Sequence, residues 1–207
     1  RVNAPPRDPQ SPNPLITGGA KGDNCIAPYM TVIRELQTRE FRIWYNTYKK
    51  MPTGYQATLS TMVSADGVQW KRPHTKTNVD TFGASVIDEG PGTSNPAKRY
   101  KLGWWDGAGD VPGMTIGYSA DGLTWNRLTP KPFLSSTHDI NSIFWDPARK
   151  RYIANFTAGG WGPTGGPTWT GKRRVGLQTT STDLIHWKQP NYVLTPDTIT
   201  VDLDDLG

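Results

Sequence analysis

The 207-residue sequence predicts an all-β fold assembled from repeated four-stranded units, and two observations carry that prediction. A seven-residue phrase, SADGVQW at 64–70, returns as SADGLTW at 119–125 and, degraded, as STDLIHW at 181–187. No window sustains a helical apolar spacing over three turns, and 18 Pro with 22 Gly would interrupt one.

A fixed period defines an architecture before any local pattern does. Asp66, Asp121 and Asp183 mark the three copies, 55 and 62 residues apart. Before each copy runs an apolar, aromatic-rich segment: FRIWYN from Phe41, RYKLGWWD from Arg99 and RYIANF from Arg151. Before each of those lies a shorter run closed by a charged or Pro/Gly turn: TVIRE from Thr31, SVIDEG from Ser85 and SIFWDPARK from Ser142. After the phrase comes a polar-to-apolar stretch, clearest in KPFL from Lys131 and NYVL from Asn191. Short runs rich in Val, Ile, Tyr, Phe and Trp, bounded by Gly, Pro, Asn and Asp, are strand signatures. Each unit therefore reads as four antiparallel strands, and three such units read as about three blades of a β-propeller.

Inside the phrase, Ser and Asp side chains can bond nearby backbone amides and build a turn, and Gly67 and Gly122 permit a backbone angle closed to other residues. The Trp then falls on the next strand, where its ring can cover the seam between neighbouring sheets. Asp66, Asp121 and Asp183 are on this reading structural, not catalytic.

Composition narrows the function. The net charge is +5 and the 23 Lys and Arg are scattered, with no run longer than residues 172–174, so no nucleic-acid partner is expected. There is no stretch of about 18 apolar residues, hence no membrane-spanning helix is expected. Cys25 is the single cysteine, which excludes an internal disulfide. Residues 1–14 are rich in Pro and read as an extended arm, and residues 15–207 as an incomplete propeller domain. Propellers carry typically four to eight blades, so the missing ones are expected from further sequence or another chain.

The repeat, and above all HDINSIFWDPARKRYIANF from His138, resembles the five-bladed β-propeller glycoside hydrolases of families 32, 43, 62, 68 and 117 over roughly residues 13–207. Sialidase Asp-boxes differ, because they keep one residue between the Asp and the Gly. The resemblance implies a secreted or periplasmic hydrolase acting on poly- or oligosaccharide glycosides, with no cofactor beyond a possible structural calcium in the central cavity. It also implies catalytic carboxylates just before the innermost strands, since glycoside hydrolysis generally uses two carboxyl groups across the scissile bond.

Aligned on Arg34, Asp88 and Asp146, the upstream acids are Asp23, Asp80 and Asp139. Three aspartates at one corner of three successive units are the candidate carboxylates, although a lone Asp there more often caps a turn. Convergence on one end of the axis is the expected geometry. Most of these hydrolases use a Glu as general acid, whereas Glu35, Glu40 and Glu89 all fall at turns away from the cavity. Family 117 is said to employ His instead, which makes His138 a candidate acid. Trp104, Trp105, Trp161 and Trp169 are candidate sugar-stacking rings, with Arg173 or Arg174 as partners for an anionic sugar. A non-catalytic glycan-binding propeller and a protein-binding scaffold remain the alternatives.

Overall fold

In the computed structural model the described residues are 9, 15–18, 26–27, 29–71, 75–107, 111–135, 141–158 and 175–194. They form three antiparallel sheets in chain order, and the fold is all-β, with one 3-10 turn among the described residues at Pro96–Lys98. The first blade comprises β1 (Met30–Arg34), β2 (Phe41–Lys50), β3 (Tyr55–Ser64) and β4 (Thr75–Lys76). The second comprises β5 (Phe82–Asp88), β6 (Tyr100–Asp106), β7 (Gly113–Ser119) and β8 (Asn126–Arg127), with β9 (Leu134–Ser135) also on β7. The third comprises β10 (Asn141–Asp146), β11 (Arg151–Ala158), β12 (Val175–Ser181) and β13 (Asn191–Leu194).

The repeated phrase forms the same turn three times. Ser64 Oγ accepts from the amide of Gly67 at 2.9 Å, while Asp66 Oδ1 accepts from the amides of Val68 and Gln69 at 2.8 and 2.7 Å. Ser119 and Asp121 repeat this on Gly122, Leu123 and Thr124, as do Ser181 and Asp183 on Leu184, Ile185 and His186. The structural reading of the three aspartates holds. Gly67, Gly122 and Leu184 occupy one position with φ of 77°, 73° and 66°. Leu184 accepts that left-handed strain because its side chain is buried, at 2% exposure, in the core between the second and third blades.

Two glycines at equivalent positions thus differ only in their surroundings. A Cβ at Gly67 would meet Phe41 at 3.5 Å, whereas one at Gly122 would meet buried Trp44 Cζ2 at 2.8 Å. Gly67→Ala is expected to cost about 1–2 kcal/mol from the left-handed backbone alone. Gly122→Ala adds about 1–3 kcal/mol of overpacking and should melt several degrees lower. Thermal denaturation of both variants checks this, and the reverse order would refute it.

The blades pack through two apolar layers. Trp44 and Leu59 of the first meet Ala84, Val86, Tyr100, Leu102, Trp104 and Trp125 of the second. Met114 and Ile116 of the second meet Ile143, Ala154, Phe156 and Leu184 of the third. The Trp of the phrase covers these seams as expected: Trp125 is in the first layer, and Trp187 stacks on Phe133 at 4.4 Å.

Polar clasps repeat across both seams. Thr31 Oγ1 accepts from the Val86 amide at 3.1 Å, and Ser85 Oγ accepts from the Ile143 amide at 3.1 Å. Tyr100 donates its hydroxyl to Glu35 at 3.0 Å beside Arg42, whose Nε lies 3.3 Å from the same carboxylate oxygen. Tyr152 donates likewise to Glu89, which pairs with Lys101 at 2.7 Å. Burial first, then the Glu35 carboxylate, pushes the Tyr100 hydroxyl up to about 12, so it remains a donor far above neutral pH.

These clasps correct the alignment made from sequence. Ser64, Ser119 and Ser181 pair with Phe41, Tyr100 and Tyr152, so the third anchor equivalent to Arg34 and Asp88 is Trp145 rather than Asp146. Asp146 corresponds instead to Glu35 and Glu89. The aromatic run RYIANF hid the shift because Arg151, not Tyr152, opens the strand.

Candidate functional site

Strand register sorts the chain ends of the blades into two groups. At one end lie the finishes of β1, β5 and β10, the starts of β2, β6 and β11, and all three S-x-D turns. At the other lie the starts of the innermost strands and the loops from second to third strands. That second end is the candidate mouth.

Its framework is a set of amide and hydroxyl side chains that the sequence reading did not single out. Asn46, 0% exposed just past the middle of β2, donates from Nδ2 to the Thr81 carbonyl at 2.7 Å and accepts at Oδ1 from the Gly83 amide at 3.1 Å. Asn141, at the start of β10, donates to the Gly83 carbonyl at 2.8 Å. Thr81 Oγ1 donates to the Trp105 carbonyl at 2.8 Å. Gly83, at φ 73° in an irregularity of the β5–β6 ladder, is therefore gripped on both its amide and its carbonyl. The asparagines stand inside apolar runs, FRIWYN and INSIF. A buried amide amid strand residues is the signal that could have found them, because it must satisfy its own hydrogen bonds.

Asp80 accepts from Gln56 Nε2 at 2.9 Å and pairs with Lys76 at 3.0 Å. Both partners belong to the third and fourth strands of the first blade. Residues 77–79 continue the outer strand along Leu59 before the chain crosses to β5. Asp106, the other described acid at this end and missed from sequence, pairs with Arg127. Trp104 is corrected. At 5% exposure it is a seam residue that lies under the Arg127 guanidinium, not a sugar platform. Trp105 is half-buried at the mouth end, its ring so close that a Cβ on Gly107 would sit 2.5 Å from it. Asp23, His138, Asp139, Trp161, Trp169, Arg173 and Arg174 lie outside the described residues.

The opposite end carries a cleft of about 350 Å³ lined by Ile87, Asp88, Glu89, Thr93, Trp145 and Tyr152. Its polar groups are satisfied by one another: Arg99 holds Asp88 through two 2.7 Å bonds, and Glu89 takes Tyr152, Lys101 and Thr93. Glu35 and Glu89 are therefore seam groups, in keeping with their placement away from the mouth. Among the described residues no three His, Cys, Asp or Glu gather to hold a metal ion. No helix among them is long and apolar enough to cross a membrane.

Several carboxylates are held charged by their turns. The Asp66 carboxyl lies below its ordinary value through the Gln69 and Val68 amides and the Ser64 hydroxyl. His186, then two backbone amides, does the same for Asp183. Burial pushes Asp121 up, but the Thr124 and Leu123 amides outweigh it, and Arg99 and the Gly90 amide outweigh burial at Asp88. Depressed folded values mean stability that is present above the unfolded carboxylate value, near pH 4, and lost as pH falls through the folded values. Thermal melts of the wild type should therefore decline below about pH 4. Asp121→Asn should melt lower at pH 7 and converge on the wild type toward pH 2; a constant gap at every pH would contradict this.

The chain has the fold of the propeller glycoside hydrolases. It is similar to an N-acetylgalactosamine deacetylase from F. plautii in complex with blood group B trisaccharide, at 14% identity and a TM-score of 0.60 over 91% of this chain and 58% of that one. A glycosyl hydrolase from Bacteroides ovatus matches at 14% identity and a TM-score of 0.57 over 91% of this chain and 61% of that one. Sucrose-6-phosphate hydrolase from Lactobacillus gasseri matches at 13% and 0.52, over 82% and 34%. The chain thus spans about six-tenths of the length of the first two structures. No family model matches it, and no curated protein does.

Proposed function

We propose that the complete protein is a glycoside hydrolase acting on poly- or oligosaccharide glycosides at the end where the innermost strands begin. The observation that carries this reading is the Asn46–Gly83–Asn141 framework, which fixes the starts of two successive innermost strands without using any carboxylate. A site built on rigid elements keeps its reacting groups in register. Asp139 stands two residues before Asn141, and Asp23 before the first innermost strand. The described mouth acids, Asp80 and Asp106, are committed to Lys76 and Arg127. Asp139 and Asp23 are therefore the carboxylates of this reading, one of them the base or nucleophile. His138 is the proton donor of this reading, since imidazole titrates near neutral pH. Trp105, Trp161 and Trp169 supply sugar-stacking rings, and Arg173 a partner for an anionic sugar. A secreted or periplasmic setting suits such substrates.

The full-length protein incubated with aryl glycosides and natural oligosaccharides tests the reading, with released reducing sugar expected. Because one similar fold belongs to a deacetylase, acetylated amino sugars belong in the panel, and acetate release without glycosidic cleavage would replace the proposal. Sugar affinity without turnover would favour a glycan-binding propeller, and neither sugar binding nor turnover a protein-binding scaffold.

A further inference from the structure

One position near the end of the innermost strands changes character in the third blade. Arg34 and Asp88 hold it in the first two blades, and Trp145 holds it in the third, 41% exposed. Alternation along β10 puts Trp145 on the side of Asn141 and Ile143, which face the second blade, one bonded to the Gly83 carbonyl and the other lying against Gly103. Its ring therefore stands at the seam between these two blades. Tilted against Tyr152 at 4.7 Å, it walls the cleft that Ile87, Asp88, Glu89 and Thr93 complete.

The cleft is polar, yet its charges are balanced. Arg99 offsets Asp88 through two 2.7 Å bonds, and Lys101 offsets Glu89 at 2.7 Å. With the Gly90 amide on Asp88, and the Tyr152 and Thr93 hydroxyls on Glu89, each carboxylate accepts three hydrogen bonds out of the about four it can take. Fixed acceptors with capacity left, beside an exposed indole face, suit a neutral polyhydroxylated ring: its hydroxyls donate to the carboxylates while its C–H face lies on Trp145. A cation would find the carboxylates already neutralised, and a purely apolar group would shut their open positions away from water. The volume of about 350 Å³ falls at the small end of the range for ligand sites.

We propose that this cleft is a second carbohydrate site, remote from the mouth, which holds one residue of a neutral glycan chain by stacking on Trp145 and hydrogen bonding to Asp88 and Glu89. Its role is tethering, since a polymer held at one end of the blades is concentrated at the other. The tethering role rests on the proposed function; the site itself does not.

Native affinity electrophoresis of the full-length protein in gels containing arabinan, xylan, galactan, mannan or levan tests the site. At least one of these neutral polysaccharides should retard the wild type, and Trp145→Ala should weaken the apparent affinity about tenfold or more. Trp145→Arg installs the residue type of the first blade at this position, so it should keep Tm near wild type and lose retardation equally. Retardation unaltered in the two variants, or absent with every polymer, overturns the proposal. Turnover of aryl glycosides should be the same in all three proteins, because these small substrates need only the mouth. Trp145-dependent retardation without turnover of any glycoside would sink the hydrolase and leave this site standing, and turnover without retardation would do the reverse.

Discussion

Asp139→Asn in the full-length protein is expected to slow glycoside hydrolysis by about 10²–10⁴-fold while leaving Tm within about 2 °C of wild type. The amide matches the carboxylate in shape but neither carries the charge nor transfers the proton that the reaction requires, so rate and fold should separate. Two residues on, Asn141 holds the Gly83 carbonyl through its side chain, and that grip asks nothing of a carboxylate. If Asp139 instead capped a turn, Tm would fall and the rate per folded molecule would not. Wild-type activity in this variant removes Asp139 from the mechanism.

Asn46→Ala is expected to be among the most damaging single substitutions in the fold, lowering stability by about 2–5 kcal/mol and Tm by roughly 5–15 °C. Asn46 is fully buried and serves two partners at once, the Thr81 carbonyl and the Gly83 amide. Removing it leaves both buried without a bond, each costing about 1–3 kcal/mol. Asn46→Asp would keep the acceptor for Gly83, lose the donor to Thr81 and bury a charge, so it should be no milder. The same variants should loosen hydrogen exchange at Gly83 and Ala84 before the S-x-D turns are affected. Equal loosening at both ends would show that Asn46 is a general core residue and not the framework of the mouth.

The blades were legible in the sequence because a Ser-x-Asp turn leaves a fixed spelling, and its three copies set the period. The site was less legible for a physical reason. The residues that organise the mouth, Asn46, Thr81 and Asn141, act through hydrogen bonds between segments 24 to 58 residues apart, and such partners leave no local pattern. Asp80 shows the same limit: nothing in its own segment announces that the outer strand continues past Lys76 or that its carboxylate bonds Gln56. Trp104 sits in a Gly-rich neighbourhood that suggests an open ring, but the strand alternation turns it into the seam beside Trp44.

The division between the two ends has an evolutionary consequence. The three S-x-D turns and the Glu35–Tyr100 and Glu89–Tyr152 clasps lie together at one end. The connections from second to third strand leave from the other end, and their lengths already diverge, from residues 51–54 through 107–112 to 159–174. Length changes in those three connections leave the S-x-D turns and the tyrosine clasps untouched, so a lineage with this architecture can rewrite one end while the other stays under separate selection.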